Sequence, residues 1–139
     1  MISYISGSVV RSESNAVVIK TGGIGYLVNV IPEVSLALKS GDEIALHTEQ
    51  IVREESHALY GFRTVEELQL FQALLKVSGV GPKSSMAILG SLGVSLTQQA
   101  VALDDDEAFR RVPGIGPKTA KQICVQLAGK VGDANAGGQ

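Results

Sequence analysis

Val77-Ser78-Gly79-Val80-Gly81-Pro82-Lys83-Ser84 has a second copy in the same chain, Val112-Pro113-Gly114-Ile115-Gly116-Pro117-Lys118-Thr119. Both read apolar, any, glycine, β-branched apolar, glycine, proline, lysine, hydroxyl, and their first glycines are 35 positions apart. Two glycines around one apolar residue let the chain turn sharply and let its backbone approach a ligand. Pro82 and Pro117 suit the first helical position, where a missing N–H costs nothing. The helix that follows offers unpaired N–H groups and a partial positive charge, which together suit a phosphate. Lys83 or Lys118 then adds a full charge beside it.

A single G-x-G before a helix is a weak signal, since it describes a tight helix–helix turn equally well. The repeat, with proline, lysine and hydroxyl kept in register, favours phosphate binding. Other glycine-rich readings fail: proline separates Gly81 from Lys83 and Gly116 from Lys118, so no Walker A loop forms. Ser84 and Thr119 stand where a dinucleotide fingerprint needs its third glycine. The two stretches look like a pair of helix-hairpin-helix motifs, which hold nucleic-acid backbones without reading sequence.

The 139 residues suit one domain or two small ones, and at 45% hydrophobic they can bury a core and leave apolar surface for self-association. One cysteine, Cys124, excludes a disulfide framework and a cysteine-based metal site. It falls on the apolar face of the last helix with Ala120, Ile123 and Leu127, where core packing is its expected role. The start, Met1-Ile2-Ser3-Tyr4, lacks a signal-peptide pattern, and no apolar run is long enough to span a bilayer; a cytoplasmic protein is expected. A net charge of −2 is not that of a basic nucleic-acid binder. The distribution matters more: residues 64–139 carry 7 basic and 7 acidic residues, with Lys83, Lys118 and Lys121 at or just after the glycine turns.

Residues 1–63 read as β structure. Strands are expected at Tyr4 to Val10, Ala16 to Lys20, Gly25 to Ile31, Glu43 to Ile51 and Ala58 to Phe62, separated by turn-formers. Five short strands in about sixty residues suggest a small barrel of the OB type. Aromatics are too few for a base-stacking platform, so Tyr4, Tyr26, Tyr60 and Phe62 are assigned to packing and the barrel to a scaffold role. Between the last two strands, the charged stretch Ile51 to His57 reads as a solvated hairpin tip. Neither His47 nor His57 has a metal-ligating companion.

From Thr64 the period becomes helical. Thr64 with Glu67 makes a capping box, and Leu68, Phe71, Leu74 and Leu75 line one face. The first hairpin follows, then a helix from about Pro82 to Leu89. Ser95 with Gln98, and Asp104 with Glu107, read as two further capping boxes, giving the acidic run Asp104 to Glu107 a helix-start role. A last helix is expected from Pro117 to Lys130, and the small, polar residues 132–139 read as a linker. The fold class is thus α+β: a five-stranded OB-type barrel over 1–63, then an all-α domain over 64–131 with tandem helix-hairpin-helix motifs.

Taken together, these features resemble the RuvA family of bacterial Holliday-junction-binding proteins over nearly the whole chain. The markers are the Gly7 strand, Gly22-Gly23-Ile24-Gly25-Tyr26, Val52-Arg53-Glu54-Glu55, Leu59-Tyr60-Gly61-Phe62 and both glycine hairpins. The resemblance implies a non-catalytic homotetramer, or an octamer of two tetramers, that holds an open four-way DNA junction for recombination and repair. It implies phosphate contacts from the backbone at Gly79, Val80, Gly81, Gly114, Ile115 and Gly116, assisted by Lys83, Ser84, Lys118, Thr119 and Lys121. Such contacts position a duplex but carry no base information. Glu54 and Glu55 match the family's acidic pin near the crossover, and Arg53 beside it is placed to meet a phosphate. No cofactor is implied. The implied partners are the ATPase motor RuvB and the resolvase RuvC. The third, motor-docking domain of the family is expected to be absent from these 139 residues. The family's two adjacent basic residues after the second hairpin are here Pro117-Lys118, with Lys121 one turn on.

Two other classes compete. A DNA glycosylase shares the turn at Val112 to Gly116 but needs a catalytic aspartate about twenty residues on, in a base pocket; only Asp133, in the tail, has that spacing. A general duplex-binding module would show no preference for a junction.

Overall fold

Ala16-Val17-Val18-Ile19 is buried throughout and belongs to one of the five strands of a closed barrel. The structure, a computed structural model, describes residues 1–130. Its chain separates into two units, Met1–Leu68 and Gln69–Gln139. In the first, β1 (Tyr4–Ser12), β2 (Ala16–Thr21), β3 (Ile24–Asn29), β4 (Glu43–Arg53) and β5 (Ser56–Phe62) form a closed barrel in the order β1-β2-β3-β5-β4. All neighbours are antiparallel except β3 and β5, which pair in parallel at Val28–Leu59 and Asn29–Tyr60. That short pair is reinforced by the Asn29 side-chain amide, which donates to the Leu59 carbonyl at 3.0 Å. Closure removes the free edges that would otherwise invite pairing with another chain. The interior is filled by Ile5, Val9, Val17, Ile19, Val28, Leu46, Leu59 and Phe62.

β1 bends at a bulge between Val9 and Arg11 and crosses β2 so closely that a β-carbon on Gly7 would fall on the Lys20 carbonyl oxygen. Tyr4 is exposed and packs at 5.4 Å against His47, while Phe62 is buried and Tyr26 and Tyr60 are half-buried.

One element was not expected from the sequence: α1 (Pro32–Ala37), between β3 and β4. Pro32 starts it, and the buried Ser35 hydroxyl donates to the Ser14 carbonyl at 2.6 Å. Its six residues are too few for a 3.6-residue period to show. β4 and β5 also run further than expected, to Arg53 and from Ser56.

Helix α2 (Val65–Leu75) begins in the first unit and ends in the second, where α3 (Pro82–Ser91), α4 (Gly93–Ala102), α5 (Asp106–Arg110) and α6 (Pro117–Leu127) follow in order. The Thr64–Glu67 capping box is present, the Thr64 amide donating to Glu67 Oε1 at 3.2 Å and the Glu67 amide to Thr64 Oγ1 at 3.1 Å. Leu70, rather than Leu68 or Leu75, joins Phe71 and Leu74 in full burial.

The other two expected capping boxes do not form. Gly93, at φ +74°, reverses the chain so early that α4 begins two residues before Ser95. Asp104, at φ +53°, closes α4 instead of opening α5: its N–H bonds the Val101 carbonyl, and the Asp105 N–H reaches Ala100 at 2.8 Å. This is a Schellman ending with aspartate where glycine is usual. Glu107 pairs with Arg110 at 3.1 Å. The last helix stops at Leu127 rather than Lys130, with Gly129 at φ +81°. The expected linker over 132–139 lies outside the described residues.

Candidate nucleic-acid interface

The two sequence copies fold to the same local geometry. Gly79 has φ +88° and Gly114 φ +89°, a left-handed backbone that a side chain would strain. In each turn the β-branched residue bonds back, Val80 N–H to the Val77 carbonyl and Ile115 N–H to the Val112 carbonyl, both at 3.1 Å. The second glycines are extended N-caps, Gly81 at φ −105° and Gly116 at φ −86°, followed by proline at the first helical position. The first helical bonds, Ser85 N–H to Gly81 and Ala120 N–H to Gly116, are both 2.9 Å.

This geometry separates the expected contact residues by what they can offer. Val80 and Ile115 are buried, and their N–H groups close the turns, so they anchor the loops rather than present donors. Gly79, Gly81, Gly114 and Gly116 are exposed. The amides of Gly81, Lys83 and Ser84, and of Gly116, Lys118 and Thr119, have no partner among the described residues. Each helix therefore starts with a cluster of unspent N–H donors at the positive end of its dipole. Lys83, Lys118 and Lys121 form no ion pair among the described residues, and all three are exposed. Thr119 and Ser84 are both half-buried, each beside those amides. The arrangement suits two phosphate groups, each met by backbone donors and a lysine.

The two turns are also neighbours. A β-carbon on Gly79 would stand 3.3 Å from Thr119 Oγ1. The Ser78 amide of the first turn donates to Gln126 Oε1 on α6 at 3.2 Å, and Gln126 Nε2 donates to Gln122 Oε1 at 2.6 Å. Sequence reasoning passed over Gln122 and Gln126. Their only signal was spacing, since with Thr119 they share one face of α6, at i, i+3 and i+7. The opposite stripe, Ala120, Ile123, Cys124 and Leu127, is buried as expected. Burial first, then the charges of Asp104, Asp106 and Asp105, push the Cys124 thiol up to about 11.

At the barrel's β4–β5 hairpin, Arg53 pairs with Ser56 across the ladder, leaving Glu54-Glu55 as a two-residue turn. Val52 to His57 are all exposed. Arg53, Glu54 and Glu55 thus sit together at a projecting tip. Among the described residues no three His, Cys, Asp or Glu side chains gather as a metal site. No described helix is long and apolar enough to cross a membrane. Asp133, which the glycosylase reading requires, lies outside the described residues.

Comparisons with known proteins agree with this division of the chain. The family model described as "RuvA N terminal domain" matches residues 1–61, and that described as "SAM-like Helix-hairpin-helix tandem" matches 71–128. Proteins named Holliday junction branch migration complex subunit RuvA are similar along most of the chain. That of Leifsonia xyli subsp. xyli is 48% identical over 131 residues, covering 94% of this chain and 63% of the relative. That of Burkholderia thailandensis is 39% identical over 133 residues, covering 95% and 69%. For the protein of Mycobacterium leprae (strain TN) the identity is 42% over 138 residues, covering 99% and 68%. The chain spans less than two thirds of the length of the first of these relatives. With the barrel, the paired hairpins and this similarity in hand, the chain belongs to the RuvA family.

Proposed function

We propose that this chain binds four-way DNA junctions by their structure rather than their sequence, holding them open for branch migration by a partner motor. The observation that carries the reading is the pair of hairpins of matched backbone geometry, each with free amides and an unpaired lysine at a helix start. Two such sites side by side grip successive phosphates and ignore the bases. Within this reading, residues 64–131 bind DNA through Gly79, Gly81, Lys83, Ser84, Gly114, Gly116, Lys118, Thr119 and Lys121. Val80 and Ile115 hold the two turns in shape.

Residues 1–63 are the scaffold of a homotetramer. Glu54 and Glu55 act as an acidic pin that repels phosphates and keeps exchanging strands apart, with Arg53 beside them. The names of the relatives as branch-migration complex subunits support the reading of this chain as one subunit of such a complex. It makes the chain a non-catalytic, cytoplasmic subunit that works with an ATPase motor of the RuvB type and a resolvase of the RuvC type.

The test is a gel-shift titration at fixed salt, comparing a synthetic four-way junction with linear duplex of the same arm sequence. Junction preference that Lys83→Ala/Lys118→Ala weakens and Glu54→Gln/Glu55→Gln leaves intact supports both the grip and the pin. Equal affinity for the two DNAs would overturn the reading and leave a general duplex-binding module.

A further inference from the structure

The polar face of α6 has a purpose that phosphate binding at its N-terminus does not explain. Thr119, Gln122 and Gln126 lie along one side of the helix, and two of them, Thr119 and Gln126, meet the first hairpin. Thr119 borders the space beside Gly79, and Gln126 accepts from the Ser78 amide. Gln122 in turn accepts from Gln126, so the Gln126 carboxamide is held at both its oxygen and its nitrogen. A side chain restrained at both ends fixes the geometry of what it holds. The helix that starts at the second hairpin therefore also sets where the first hairpin sits.

We propose that Gln126 is a positioning residue for DNA binding: through the Ser78 amide it locks the first hairpin at a fixed offset from the second. The inference rests on the reading of the hairpins as a phosphate grip. Ser78 precedes Gly79, the most freely rotating residue of that turn. Without the bond, the turn samples other conformations and must be ordered when DNA arrives. Preorganisation of this kind raises affinity without any contact to the ligand. Gln126 is neutral, so it contributes nothing to the displacement of counterions from DNA.

The test replaces Gln126 with the near-isosteric Met, which keeps the side-chain length and removes the acceptor. Three quantities are measured: junction affinity over a salt series, amide exchange at Ser78, and thermal stability. Loss of one hydrogen bond's worth of organisation predicts affinity down by about fivefold. The slope of affinity against salt stays at the wild-type value, because every lysine still reaches its phosphate. Ser78 exchanges faster, while the amides of α6 do not.

Unchanged affinity, unchanged Ser78 exchange or a shallower salt slope would each overturn the proposal. If Gln126→Met fails to fold, Gln122→Met leaves the acceptor for Ser78 but removes its support, and the same pattern is expected at a smaller size. Wild-type protein that does not bind the junction would instead refute the grip itself, so the two failures are distinguishable.

Discussion

A β-carbon on Gly79 would stand 3.3 Å from the Thr119 hydroxyl, which puts the first glycine turn against the first helical turn of the second motif. Residues forty positions apart in sequence thus share one small surface. Gly114, its counterpart, has open space where a β-carbon would go. The two motifs match in backbone and differ in surroundings, and the difference can be measured.

Both Gly79→Ala and Gly114→Ala place a side chain at φ near +90°, at a cost of about 1 to 2 kcal/mol. Gly79→Ala must also displace Thr119, so it is expected to be the more damaging of the two. Urea denaturation of both variants reads the difference directly. Equal destabilisation would mean that the hairpins do not touch in solution.

Lys83→Ala and Lys118→Ala each remove an unpaired charge at a helix start. Each is expected to leave folding stability within about 0.5 kcal/mol and to weaken binding alike for every DNA sequence. The slope of log affinity against log salt should shrink by about 0.9 for each phosphate that is no longer neutralised. A titration over a salt series checks this, and an unchanged slope would remove that lysine from the interface.

Gly7 is set by the approach of β1 to β2. Gly7→Ala would drive a methyl group into the Lys20 carbonyl, a backbone atom that cannot move without disturbing the barrel. A loss of about 3 kcal/mol is expected, in the range of severe overpacking. Gly22→Ala has open space and only its φ of +58° to strain it, so about 1 kcal/mol suffices there. Thermal melts of the two variants should rank them in that order.

Cys124 makes stability depend on alkaline pH. Burial and the nearby Asp104, Asp106 and Asp105 raise its thiol from 9.0 to about 11 in the folded chain. The folded state then holds a proton that the unfolded state releases, so the contribution is complete below pH 9 and is lost as pH rises towards 11. Its full size is about 2 to 3 kcal/mol. Denaturation midpoints near neutrality and near the raised value should converge in Cys124→Ala relative to wild type. A parallel pH dependence in the two proteins would show that other groups carry it.

Much of the barrel was visible in the sequence because its strands are short runs of alternating or β-branched residues, and turn-formers punctuate them. The α1 helix was not, because Pro32–Ala37 is too short to show a period and its stability comes from the Ser35–Ser14 bond to a distant loop. The hairpin tip was placed too broadly for a related reason. Glu54-Glu55 carries no turn chemistry, so only pairing with β4 shows that β5 begins at Ser56. Among the helices, Thr64 and Glu67 behaved as a capping box, while Asp104 closed one helix instead of opening the next. The same residue types serve both ends, and the choice depends on where α4 ends.

Local chemistry by itself determined the two hairpins. Glycine permits the left-handed turn, proline starts the helix, and the backbone then has no choice but to leave amides unpaired beside a lysine. Whether those two phosphate sites stand together or apart depends on long-range packing. Tertiary structure alone brought Gly79 to Thr119 and Ser78 to Gln126, because these contacts join residues 40 and 48 positions apart, beyond the reach of any local pattern.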